Sequence, residues 1–457
     1  MSTDGFTQTL ARWAADMPLI ESSAAVTIGK QAITDTIGCM LAGTSDDATR
    51  RVLIAATSLG SGNARVVGHT QRLAPGAAAM VNATAAHVYD YDDNFFPAAA
   101  HASAVLLPSL LALAESEDLT GAQLLDAYVV GLEVMGRIGE GVNMLHYQLG
   151  WHATSTLGSI GAAAACARLL SLDGAQMSDA ISLGMSLASG TKNQFGTMAK
   201  PLHAGFAAEQ GLRAAMLAKH GVNATSEPLD GTFGWRAMFA ADSLGFDESM
   251  SKIGRPLAIE EYGLMTKPHP CCASVHCTVD AIMGLMSEHD LNAADIERVQ
   301  TFVPKITVAN LPFPEPSDER EARFSMHYGV GLAIEHGALR LRDFRSGGFG
   351  NPAVVAWAPR VEMVEDESVA ENALGANVIE PARVVLHLGD GRVLDRTQRY
   401  AKGVLQNPMS TAERNTKLRD CTAESLSDEQ LSELIARLDQ LATTPVAEVM
   451  AFLARTS

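Results

Sequence analysis

A chain of 457 residues exceeds what one hydrophobic core usually supports, so two or three domains are expected. Hydrophobic residues make up 47% and charged residues 19%, which excludes a disordered chain or a long solvated helix. A net charge of −18 excludes a nucleic-acid binder, which needs a basic surface. It also requires any anionic substrate to meet a local positive pocket.

From the N-terminus, MSTDGFTQTLARWAADMP shows no basic start followed by an apolar run, so no signal peptide is read there. In the stretch 22–43, Val26, Ile33, Ile37, Met40 and Leu41 share one helical face and Gly43 offers a stop. Segments 71–88, 102–117, 121–140, 153–170, 175–190 and 203–221 also read as helices. Several are apolar almost all round, the mark of a helix buried inside a bundle. The most membrane-like run, LGSIGAAAACA at 157–167, is too short for the roughly 20 residues of a spanning helix, so a buried helix and no membrane partner are expected. Turns at 60–63 and 172–174 punctuate the series.

After about residue 267 the texture changes. IERVQTFVP (296–304) alternates like a half-buried strand, EMVEDESV (362–369) reads as an acidic edge or loop, and RVVLHLGDGRVLDRTQ (383–398) as a hairpin turning with positive φ at Asp390–Gly391. Helical periodicity returns after Asn407–Pro408. The expected fold is mainly α with an α+β second domain. Residues 1–266 and 396–457 would make the helical domain from both chain ends, and 267–395 a smaller α+β lid. Six cysteines are too few for a disulfide scaffold and fit reduced thiols in a cytoplasmic protein.

Three constellations carry the chemistry-bearing residues. HVYDYDDNFFPAAAHASAV (87–105) sets Asp90, Asp92, Asp93 and His101 among aromatics. A carboxylate in such company has its ionised form disfavoured, which tunes it for proton transfer. On a helix Asp90 and Asp93 would share a face and Asp92 would point elsewhere, leaving Asp92 a dispensable solvent or capping residue. The bland alternative is a solvated aspartate cluster at a helix end. In LHYQLGWHATSTLGSIGAAAA (145–165), His152 precedes a helix start whose free N–H groups favour an anion; ordinary capping by Thr154 or Ser155 is the competing reading. GTMAKPLHAG (196–205) and TKPHPCCASVHCTVDA (266–281) place Lys200 with His203, and Lys267 with Cys272, at helix–loop junctions. The adjacent Cys271–Cys272 and His276–Cys277 pairs lack the spacing of a tetrahedral metal site, so no metal is expected.

The order of DTIGCMLAG, HVYDYDDNFFPAAAHAS, GWHATSTLGSIGAAAA, GTMAKPLHAG, KPHPCC, RFSMHYGVGLAI and KGVLQNPMS resembles the MmgE/PrpD family from about residue 20 to 420. The resemblance implies a helical domain built from both chain ends, a lid, a homodimer, and activity on small polycarboxylates without a metal or organic cofactor. Family members include 2-methylcitrate dehydratases, cis-aconitate decarboxylases and an iminodisuccinate epimerase. Carried over by motif, the active-site positions are Asp90, Asn94, His101, His152, Lys200, Lys267 and Cys272. The implied chemistry is proton transfer at carbon next to a carboxylate, with Asp90 and His101 as acid–base groups, Lys200, Lys267 and the helix start after His152 neutralising charge, and Tyr147 a reserve donor. Asp93 would assist Asp90 or orient His101.

Two departures bear on the substrate. Asn94 stands where many relatives carry threonine and is followed by phenylalanines. Cys272 stands where the decarboxylase branch has a histidine, which weighs against cis-aconitate decarboxylation. A 2-methylcitrate-type dehydratase is ranked first as the most familiar activity of the family it resembles, an iminodisuccinate-type epimerase next because it needs only proton removal and return, and a decarboxylase below it. The non-enzymatic alternative is a silent helical dimer that binds a metabolite, distinguished by whether these residues scatter or converge.

Overall fold

The computed structural model describes residues 5–241, 246–345, 347–370 and 380–454. The expected helices form at Ser23–Gly43, Pro75–His87, Ser103–Ser116, Gly121–Val142, Ala153–Leu169, Gly174–Ser186 and Ala199–Lys219. Their starts fall where side chains can satisfy orphan N–H groups. Thr120 with Gln123, and Asp173 with Gln176, close reciprocal caps, so the 172–174 turn is a helix start.

Small side chains set the helix spacing. A Cβ on Gly211 would lie 2.4 Å from the Ala162 Cβ, and one on Gly131 would lie 2.7 Å from the Ala165 Cβ. The helices Ala199–Lys219 and Gly121–Val142 therefore approach Ala153–Leu169 nearly backbone to backbone, a packing that admits no added methyl group. Segment 157–167 is buried inside this bundle, and among the described residues no helix is long and apolar enough to cross a membrane. From the far end of the chain, Leu434, Val446, Met450 and Leu453 join the same hydrophobic core.

Two short strands, β1 (Ala64–Arg65) and β2 (Arg72–Leu73), pair within the helical part. The second core is built around a four-stranded sheet of β3 (Ile296–Val303), β4 (Val361–Glu365), β5 (Ala382–Leu388) and β6 (Val393–Gln398). The order is β4–β3–β5–β6, with β4 parallel to β3 and the other pairs antiparallel. Val299, Thr301 and Val303 alternate inward on β3 as patterned, and the first half of the acidic segment forms the edge strand β4 while Glu367–Ala370 make a 3-10 turn. Helices His276–Glu288 and Met326–His336 contribute to this core. The hairpin turn differs in detail from expectation. Gly391 alone takes positive φ (86°), while the Asp390 carboxylate accepts from the Arg392 backbone N–H at 3.0 Å and Nε at 2.7 Å, closing the turn with a side chain instead.

Between the two cores, Val88, Tyr89 and Tyr91 pack with Cys39, Leu341 and Cys421. The aspartate-rich stretch thus runs along the seam of the molecule, the usual place for a ligand pocket.

Candidate active site

Residues 88–95, which hold all three aspartates, are not helical, and that overturns the spacing argument for them. The preceding helix ends at His87, and Asp90 turns the chain in the left-handed region at φ 53°, a conformation Asp tolerates better than most residues. The chain then folds back on itself. Asn94 pairs with Met265 through N–H to carbonyl bonds of 3.0 and 2.9 Å, and Phe95 pairs with Ala100. Gly136 and Gly139 leave room for this loop: a Cβ on Gly139 would lie 2.5 Å from the Pro97 carbonyl oxygen. The Asn94–Met265 pairing brings Lys267 to Asp90.

Asp90 is buried and held by two lysines. Lys267 Nζ donates to Asp90 Oδ2 and to the Asp90 carbonyl, both at 2.8 Å, and Lys200 Nζ donates to Oδ1. Burial alone would raise this carboxyl, but the two ammonium groups hold it well below the usual range. This corrects the expectation that aromatic surroundings would disfavour its ionised form: Asp90 is an ionised anchor. Burial pushes Lys267 down, and Asp90 with Asp92 more than restores it. Two ammonium groups on Asp90 bring positive charge to the cavity floor of a chain that is strongly anionic overall, and the nearby Asp92 carboxylate balances the second of them.

His101 sits between two carboxylates, with Nε2 3.5 Å from Asp90 Oδ1 and Nδ1 3.1 Å from Asp92 Oδ2. Asp92 also meets His87 Nδ1 at 2.8 Å. Burial works to raise the Asp92 carboxyl, but His87 and His101 hold it well below the usual range. An ionised carboxylate only accepts, so His87 Nδ1 is assigned its proton; His101 faces a carboxylate on each edge, and its proton is assigned to Nδ1 because Asp92 at 3.1 Å is nearer than Asp90 at 3.5 Å. Burial lowers His101 despite Asp92 and takes His87 down to about 3. A neutral His101 with its proton on Nδ1 leaves the Nε2 lone pair free to take a proton. Asp92, read from sequence as a solvent or capping residue, is fully buried and orients this imidazole. Asp93 goes the other way. Its carboxylate accepts from the Ser103 backbone N–H at 3.3 Å and from the Ser103 hydroxyl, which also meets Tyr128 Oη at 2.6 Å. It anchors the start of helix Ser103–Ser116 instead of facing the cavity.

A cavity of about 600 Å³ including its mouth opens on this cluster, lined by Asp90, Asn94, His101, Tyr147, His152, Lys200 and Cys272 among others. The sequence-predicted set therefore converges, with three members differently placed: Lys267 lies behind Asp90, His203 behind His152, and Asp93 apart. His152 caps helix Ala153–Leu169 through its backbone alone, and its Nδ1 lies 2.9 Å from His203 Nδ1. Burial and the nearby Lys200 lower His203 to about 4 and press His152 well below its ordinary value. Thr154, one reading of which was a helix cap, instead accepts from the His101 backbone N–H at 3.1 Å and lines the cavity. Burial pushes the Cys272 thiol up to about 11, so it is no ready nucleophile.

Sequence reading missed His87, Ser274, Asn310 and Glu380. His87 opens the quoted stretch and its spacing to Asp92 was a usable signal, and Ser274 stands two residues after Cys272 in the quoted 266–281 segment; Asn310 and Glu380 lie in segments with no motif around them. Among the described residues, His87, Asp92 and His101 are near enough for one ion. Both histidines turn the same edge to Asp92, and the neighbouring lysine ammonium groups oppose a cation. The Cys271–Cys277 segment forms no such group among the described residues.

Comparison with known proteins gives the family. The chain matches the MmgE/PrpD N-terminal domain over residues 8–246 and the MmgE/PrpD C-terminal domain over residues 269–440. It is 30% identical over 428 residues to a cis-aconitate decarboxylase of Homo sapiens, covering 89% of this chain and 85% of that protein. A cis-aconitate decarboxylase of Mus musculus is 27% identical over 90% of this chain and 85% of that protein. One of Aspergillus terreus is 26% identical over 98% and 96%. With a mainly helical fold, a smaller α+β region and both halves matched, the chain belongs to the MmgE/PrpD family and is an enzyme of its dehydratase/lyase type.

Proposed function

We propose that the cavity binds a small di- or tricarboxylate and that the enzyme moves a proton at carbon next to a carboxylate, without metal or organic cofactor. The observation that carries this reading is the buried Asp90–Lys200–Lys267 cluster beside a neutral, carboxylate-oriented His101. A substrate carboxylate competes with Asp90 for the Lys200 ammonium group, Lys267 adds its charge from behind Asp90, and the N–H groups opening helix Ala153–Leu169 add positive potential. His101 Nε2 takes the proton from carbon, and the charge that develops on the adjacent carboxylate is neutralised by Lys200 and Lys267. In a dehydration the neighbouring C–O bond then breaks as the C=C bond forms, and the His101 imidazolium returns the proton to the leaving hydroxide as water.

Dehydration of the 2-methylcitrate type leads this reading; iminodisuccinate-type epimerisation needs the same first step and then reprotonation of the same carbon. A decarboxylase is the second reading, favoured by the cis-aconitate decarboxylases among its relatives and opposed by Cys272. There a C–CO₂ bond breaks, CO₂ leaves, and the carbon takes a proton that His101 Nε2 has first picked up from solvent. In all cases the working form is proposed to be a cytoplasmic homodimer. Incubating the enzyme with 2-methylcitrate, citrate, cis-aconitate and iminodisuccinate and following products by NMR tests the reading. Loss of water, epimerisation or loss of CO₂ selects among its branches, and inertness toward all four acids at high enzyme concentration counts against it.

A further inference from the structure

The cavity has a further polar wall that the mechanism above leaves unused. Tyr147 Oη donates to Asn310 Oδ1 at 3.0 Å, and Asn310 Nδ2 donates to Ser274 Oγ at 3.1 Å. The Ser274 hydroxyl bonds the Glu380 carboxyl, whose Oε2 also accepts from Thr307 Oγ1 at 2.6 Å. Tyr147, Ser274, Asn310 and Glu380 all line the cavity, and Lys192 Nζ lies 3.8 Å above the Tyr147 ring centroid.

The direction of this chain follows from its end. A Glu380 carboxylate only accepts, so Ser274 spends its one proton on it. Ser274 must then accept from Asn310, which turns the amide oxygen toward Tyr147 and commits the phenol proton to Asn310. The Tyr147 oxygen is left presenting lone pairs. Burial raises the Glu380 carboxyl, while Ser274, Thr307 and the Lys192 charge act toward the ionised form. A substrate carboxylate facing this wall meets acceptors and a like charge, whereas a hydroxyl or N–H meets partners already oriented for it.

Resting on the reading that this cavity holds a polycarboxylate, we propose that Tyr147 and Glu380 form an acceptor subsite. It selects acids that carry a hydroxyl or amino N–H beside the reacting carbon over acids of the same carboxylate count without one. Tyr147 and Glu380 are thus specificity-determining residues: a site built to hydrogen-bond a substrate donor leaves its own groups unpaired when the analogue lacks it.

Calorimetric binding of matched acids tests this. Citrate is compared with tricarballylate, which lacks only the hydroxyl, and malate and aspartate with succinate. The wild type should bind at least one donor-bearing acid on the order of tenfold or more tighter than its donor-free partner. Tyr147→Phe and Glu380→Gln should bring the pair to within about twofold without weakening the donor-free acid, whose affinity Glu380→Gln should if anything raise by removing a like charge. Unaltered melting temperatures would show that both variants fold. Equal binding of each pair by the wild type, or variants that weaken both members alike, overturns the subsite and leaves the polycarboxylate reading standing. No binding of any of the five acids removes that reading and the subsite with it.

Discussion

Lys267 Nζ grips Asp90 twice, at its carboxylate and at its own backbone carbonyl, each at 2.8 Å. One side chain therefore fixes both the charge and the strained backbone of the residue at the cavity floor. Lys267→Ala leaves a buried carboxylate with one lysine and a buried carbonyl with none. Turnover of the preferred acid is predicted to fall about 10²-fold or more, and the melting temperature to drop as well. Lys200→Ala should show a comparable kinetic loss. Borohydride should trap no substrate on either lysine, since both act as charge clamps.

Asp92 is predicted to matter through His101. Asp92→Asn removes the carboxylate that sets the His101 tautomer and raises its affinity for a proton. The plateau of kcat should fall about 10-fold or more. Activity is lost as pH falls through the His101 pKa, and without Asp92 that pKa drops, so the acid limb should move to lower pH. An unchanged profile with full activity would make Asp92 a packing residue only.

Asp93 gives a stability prediction of the opposite kind. Burial raises its carboxyl to about 7 although Ser103 opposes the shift. A folded pKa above the unfolded value means the folded state holds the proton more tightly, so this contribution is complete below about pH 4 and is lost as pH rises to about 7. Asp93→Asn, which cannot ionise, should flatten that decline. Urea unfolding of both proteins from pH 4 to 8 measures it; parallel curves would refute a protonated Asp93.

Cys272 should be sluggish toward iodoacetamide. With its pKa held at about 11, the thiolate is a fraction on the order of 10⁻⁴ at pH 7, and alkylation should rise about tenfold per pH unit. Peptide mapping after timed alkylation reads this out. Rapid labelling at neutral pH would show a thiolate in the pocket.

The helices and the sheet were legible because a period of 3.6 or 2 records which face is buried, and that holds for Ser23–Gly43 and Ile296–Val303 alike. Motif order brought Asp90, His101, His152 and Lys200 to one cavity. What failed was the local geometry of 87–101. The helix ends at His87, Asp90 turns through positive φ, and so Asp92 and Asp93 exchanged their expected places. Nor did aromatic neighbours reveal the Asp90 pKa, because the two lysines that set it lie 110 and 177 residues away in sequence. Glu380 and Asn310 carry no local signal at all; only the fold brings them to the wall.

The central claim is that His101 moves a proton at carbon next to a carboxylate. The most direct measurement is deuterium incorporation in D₂O, followed by NMR on the acid that the wild type converts fastest. The account predicts carbon-bound deuterium in the acids present once the reaction has come to equilibrium, or in a decarboxylated product, and a rate at least about 10²-fold lower for His101→Ala with the fold intact. Equilibrated acids without any carbon-bound deuterium, or His101→Ala exchanging at the wild-type rate, would contradict it.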